Sequence, residues 1–148
     1  KESPEHVDAR KHLAWNLLMA GEADEAIRHF RELLSRGPGD GELYNNLGVA
    51  LMKKGALLPA ADAFRKALFL NPDHAGYHYN LATVLLESGE EKEARRYLQR
   101  AVYLQPNFLA AHERLASLLR KTGEMKEADD HETAARRIRS GNEKPERK

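Results

Sequence analysis

Asp73, His74 and His78 have the spacing of a weak metal site: the two imidazoles are four residues apart, one helical turn, with a carboxylate beside them. Such a site needs further ligands converging on the same point, and the chain has no cysteine to supply a thiolate. The stretch HERLA at 112–116 starts like a zinc-protease helix but lacks its second histidine. GPGDG at 37–41 has the glycines of a phosphate loop without the lysine and hydroxyl residue that would grip the phosphate. No nucleophile stands beside a base. These residues predict no catalysis, no metal and no other cofactor, and they read as turns, helix starts and packing side chains.

The elements that would position any site are set by composition and period. The 148 residues are 41% hydrophobic, enough for one folded domain with a sizeable core. Lys and Arg number 24 against 23 Asp and Glu, so overall charge gives no reason to expect nucleic acid or an acidic membrane as partner. No apolar run is long enough for a membrane span or a signal-peptide core, so a soluble chain is expected, cytoplasmic by default. It begins at Lys1 rather than methionine, which suggests a processed product or a piece of a longer protein.

Steps of 34 connect Gly21, Gly55, Gly89 and Gly123; Leu13, Leu47, Leu81 and Leu115; Leu17, Leu51, Leu85 and Leu119; and Ala26, Ala60, Ala94 and Ala128. Four units follow, 7–40, 41–74, 75–108 and 109–142, after a lead-in of residues 1–6 and before a disordered basic tail at 143–148. Within a unit the apolar residues fall three and four apart on both sides of the glycine, which predicts two helices joined by a left-handed turn. Pro38, Pro72 and Pro106 stop the second helices, whereas Pro59 falls where a missing amide costs little, at a helix start. Ala14, Gly48, Ala82 and Ala116 are small enough to let the paired axes approach. One hairpin cannot bury both faces, so stacked neighbours must supply the core. Ser3 and Pro4 suit a helix cap and first turn. In unit four Glu132, Arg136 and Ser140 replace the apolar residues and proline of the earlier units, which predicts a solvated C-terminal cap.

This pattern resembles the tetratricopeptide repeat (TPR), whose signature is W-x2-L-G-x2-Y, A-x3-F and P on a 34-residue period. Unit two reads Tyr44-x2-Leu47-Gly48-x2-Leu51, Ala60-x3-Phe64 and Pro72; unit three reads His78-x2-Leu81-Ala82-x2-Leu85, Ala94-x3-Leu98 and Pro106. Unit one carries Arg10 at the first aromatic position. The resemblance covers nearly the whole chain and implies an all-α solenoid, a right-handed superhelix of four helix-turn-helix units. It places His78 and His112 at the aromatic packing position.

The resemblance also implies a concave groove lined by the first helices. Carried over by position, its contacts are Asp8, Lys11, His12, Trp15, Leu18 and Met19; Glu42, Asn45, Asn46, Val49, Met52 and Lys53; Gly76, Tyr79, Asn80, Thr83, Leu86 and Glu87; and Ala110, Glu113, Arg114, Ser117, Arg120 and Lys121. Lys11, His12, Trp15, Met19, Asn45, Asn46, Val49, Met52, Tyr79, Asn80, Thr83, Arg114 and Ser117 are the candidate contacts for a peptide. Trp15, Leu18, Met19, Val49, Met52, Tyr79 and Leu86 would form an apolar stripe that either anchors a ligand or packs inward. Asn46 and Asn80 stand in phase between His12 and Arg114; an amide can donate and accept at once along an extended backbone. This is similar to the asparagine ladder of O-linked N-acetylglucosamine transferases.

A peptide-binding interaction module is therefore the expected function. Two other classes compete with it: a substrate-recruiting or regulatory segment of a larger enzyme such as a glycosyltransferase, and a self-assembling scaffold, a homo-oligomer in which the exposed pair Leu57-Leu58 makes contacts. The carboxylate clamp with which some relatives grip acidic chaperone tails is not expected. In the frame that starts at Lys11 and Asn46, Trp15, Gly76 and Asn80 stand where Asn, Lys and Arg are needed, and in the next frame only Asn80 and Arg114 fit.

Overall fold

The computed structural model describes residues 4–141; Ser3 and the basic tail lie outside the described residues. Eight helices follow one another, with no strand among the described residues: α1 (Pro4–Met19), α2 (Ala23–Arg36), α3 (Gly41–Lys53), α4 (Leu57–Leu70), α5 (Ala75–Glu87), α6 (Glu91–Leu104), α7 (Leu109–Lys121) and α8 (Met125–Arg139). They form four pairs, and the second helix of each of the first three pairs packs on the first helix of the next.

The turns are where the period placed them. Gly21, Gly55, Gly89 and Gly123 have φ between 79° and 88°, a region in which a side chain is strained, and each sits between the two helices of its pair. Pro38, Pro72 and Pro106 lie in the loops between pairs, and Pro59 falls in the first turn of α4. Asp40 caps α3 by accepting from the Leu43 amide at 2.7 Å. Within the second pair the helices are so close that a Cβ on Gly48 would lie 2.6 Å from the Phe64 ring.

The core is a continuous row built from equivalent positions. Phe30, Phe64 and Leu98 are fully buried, as are Leu81 and Leu115. Fully burying a side chain of this size contributes about 1.5–3 kcal/mol relative to leaving it in water, which is why the series cannot be polar inside the stack. At α1 the pattern breaks: Leu13 is 48% exposed where Leu47 is 8%, because no helix among the described residues covers the outer face of α1. At the other end α8 presents Glu132 and Arg136, and Glu132 pairs with both Arg120 and Arg136.

Candidate peptide-binding groove

The first helices of successive pairs touch, α1 with α3 and α3 with α5, so their side chains form one surface. Its middle is a chain of amides. Asn80 Nδ2 donates to Asn45 Oδ1 at 2.8 Å, and Asn45 Nδ2 donates to Asn46 Oδ1 at 3.4 Å. All three are half-buried. One hydrogen of Asn80 is spent on this chain; its carbonyl oxygen and the Asn46 amino group remain for another partner.

Toward the N-terminal end, α1 and α3 enclose a cavity of about 230 Å³ lined by Asp8, Lys11, His12, Trp15, Glu42 and Asn46. Residues 8, 11, 12 and 15 share one helical face, as do 42 and 46. The Lys11 ammonium donates to Asp40 at 2.6 Å and lies 3.8 Å from Glu42. Burial pulls its pKa down, but the Asp40 bond and the charges of Asp40, Glu42 and Asp8 outweigh that and hold it above the ordinary lysine value. For Asp40 burial pushes upward, yet the bonds from Lys11 and the Leu43 amide leave it below the usual carboxylate value.

Beyond the amides, α5 and α7 flank a cavity of about 470 Å³ lined by Tyr79, Leu86, Ala110, Glu113, Arg114 and Ser117, among others. The Arg114 guanidinium lies 5.6 Å from the centre of the Tyr79 ring, and that ring packs at 5.0 Å against Phe108. Glu113 pairs with Arg139 and Lys121 with Glu91. A larger cavity, about 750 Å³, lies off this surface behind the α2–α3 loop and shares only Lys11 with it among the candidate contacts.

The residues of the apolar stripe divide between packing inward and facing solvent. Leu18 is fully buried and belongs to the core, and Val49, Met52, Tyr79 and Leu86 are half-buried against it. Trp15 and Met19 are exposed, at 37% and 52%. Thr83 is 8% exposed and donates its hydroxyl to the Tyr79 carbonyl, while Ser117 is open to solvent. Leu57 packs on the core, but Leu58 is 73% exposed.

His78 and His112 are structural straps. His78 Nε2 lies 2.7 Å from the Pro72 carbonyl oxygen and His112 Nε2 lies 2.9 Å from that of Pro106; a carbonyl only accepts, so each Nε2 carries the hydrogen. Tyr44 reaches the Pro38 carbonyl in the same way at 3.4 Å. His74 stacks on Tyr77 at 3.8 Å, and among the described residues no group of three or more His, Cys, Asp or Glu could hold a metal ion. The sequence reading missed two features. One is Asp40, whose hold on Lys11 spans 29 residues; the helix start after GPGD was its only signal. The other is a contact of His112 Nδ1 with His131 Nδ1 at 2.9 Å, whose only signal was that residue 131 is in phase with Tyr97.

Comparison with solved structures places the same architecture in several proteins. MamA superposes with a TM-score of 0.86 at 22% identity over 95% of this chain and 82% of its own. YrrB, described as a TPR protein with an unusual peptide-binding site, gives 0.77 at 19% identity over 89% and 68%. An O-GlcNAc transferase from Thermobaculum terrenum gives 0.73 at 28% identity over 80% of this chain, which corresponds to 23% of that enzyme. A comparison with curated proteins finds no match. The model of the middle TPR-like domain of cilia and flagella-associated protein 70 matches residues 10–139. With that match and four stacked helix pairs, the chain belongs to this TPR family.

Proposed function

We propose that the chain is a protein-interaction module that holds an extended segment of a partner along α1, α3, α5 and α7. The observation that carries this reading is the amide chain Asn80–Asn45–Asn46, half-buried between two cavities and with donors and an acceptor to spare. Amides so placed hold a peptide backbone whatever its side chains; Trp15, Met19, Tyr79 and Arg114 add local preference. YrrB, whose description names a peptide-binding site, shares the fold and supports the reading. Lys11, held by Asp40, is engaged with a carboxylate of this chain, which supports the expectation that acidic chaperone tails are not bound.

The test is the double substitution Asn46→Ala and Asn80→Ala, with binding followed by titration against peptides selected on the wild-type protein from a displayed random-sequence library. Affinity falls by about tenfold or more, the loss of roughly two hydrogen bonds to the peptide, while stability falls only by what the two half-buried amide–amide bonds contribute, about 0.5–1.5 kcal/mol each. Unchanged affinity would remove the amides from the site.

A further inference from the structure

We infer that the cavity between α1 and α3 receives a basic side chain of the bound peptide, an arginine or lysine, set over Trp15 between Asp8 and Glu42. The inference rests on the peptide-groove reading above and adds a charge and a place to it.

Three observations meet at this cavity. It is lined by two carboxylates, Asp8 and Glu42, beside Lys11 and His12. Asp8, Asp40 and Glu42 surround Lys11, whose ammonium is committed to Asp40 at 2.6 Å and has a side chain only 14% exposed. Glu42 keeps a 68% exposed side chain and stands 3.8 Å from Lys11, too far for a full hydrogen bond. Lys11 is thus taken up by Asp40, which does not line this cavity, and Asp8 and Glu42 are the carboxylates left facing it. Trp15 lines the same space, one helical turn beyond Lys11, and remains 37% exposed. An indole face beside carboxylates that no cation binds closely attracts a cation through its quadrupole and through their charge together. Asn46, the end of the amide chain, also borders this cavity, so a backbone held by the amides passes within reach of it.

The other end of the surface has the opposite bias. Glu113 is paired with Arg139 and Lys121 with Glu91, which leaves Arg114, lying against Tyr79, as the cation facing its cavity. The surface is polarised from α1 to α7. A ligand with its basic residue at the α7 end would meet like charge there, so the charge also selects the direction in which the peptide lies.

Library-selected peptides test this directly. Those recovered on the wild-type protein carry Arg or Lys, and changing that residue to Gln weakens binding by about tenfold, an effect that shrinks as salt rises. The protein variant Asp8→Asn with Glu42→Gln, both at exposed positions, loses the preference and binds the Arg and Gln peptides alike. Trp15→Ala weakens the Arg peptide more than the Gln peptide. Peptides that bind through Asn46 and Asn80 with no basic preference overturn the inference and leave the groove reading standing. Preference for acidic peptides overturns it as well. Recovery of no peptide at all overturns both.

Discussion

The third and fourth helix pairs put a histidine at the same place and finish it differently. His78 and His112 both donate Nε2 to a proline carbonyl six residues back. Opposite His78 stands Tyr97, its ring 5.8 Å away, and His78 Nδ1 is buried without a hydrogen-bond partner. Opposite His112 stands His131, whose Nδ1 lies 2.9 Å from His112 Nδ1. Since His112 carries its hydrogen on Nε2, its Nδ1 accepts and His131 donates. The difference follows from what covers each pair. The third lies between other pairs; the fourth is the last among the described residues, and its α8 is tied to α7 by the histidine pair.

Leu98→Ala breaks the comparison most severely. Leu98 is fully buried, and truncation is expected to cost about 2–5 kcal/mol in chemical denaturation. Next comes His131→Phe, which turns the fourth pair into a copy of the third by leaving His112 Nδ1 without a donor. It costs about 1–3 kcal/mol, whereas Tyr97→Phe, which keeps the ring, costs clearly less. A third measurement uses pH. Burial lowers the His131 pKa, and the neighbouring His112 lowers it further against the opposing charges of Glu127 and Asp130. The folded protein thus binds this proton less readily than the unfolded chain does. The associated stability is complete above the ordinary histidine value of about 6.5 and is lost as pH falls from there through the lowered folded value. His78, also lowered mainly by burial, acts with the same sign, so the wild type melts at a lower temperature at about pH 5.5 than at about pH 7.5, and His131→Phe removes part of that slope. The smallest effect belongs to Glu132→Ala, in phase with Leu98. It breaks exposed pairs with Arg120 and Arg136 and costs about 0–1 kcal/mol; a loss as large as that of Leu98→Ala would show that α8 is held no differently from α6.

The fold was legible because a 34-residue period is written by residue types with single physical meanings: glycine at positive φ, proline past a helix, alanine and leucine at buried contacts. The face of α1 was less so. Leu13, Trp15, Leu17, Leu18 and Met19 fall all round the helix, and only packing decides that Leu18 goes in while Trp15 and Met19 stay out. Position put Lys11 on the groove side, but nothing near it in the sequence showed it paired. Its partner Asp40 belongs to the start of the next pair, and no local spacing reports a contact made across a loop. The amide chain was half visible. Asn46 and Asn80 share a phase, but the bond runs from Asn80 to Asn45, a diagonal that depends on how adjacent helices are offset.

The straps from Tyr44, His78 and His112 to the loop prolines have a mechanical consequence. Each one ties the joint between two helix pairs to the helix that follows it, so the array resembles a spring whose coils are clipped at every joint. The clips are not equal: the histidine ones close at 2.7 and 2.9 Å, the tyrosine one at 3.4 Å. A looser clip gives a softer joint. Between the first and second pairs the weak tyrosine clip is doubled by the Lys11–Asp40 ion pair, which crosses the same joint, so there the clip that salt can loosen stands beside Trp15.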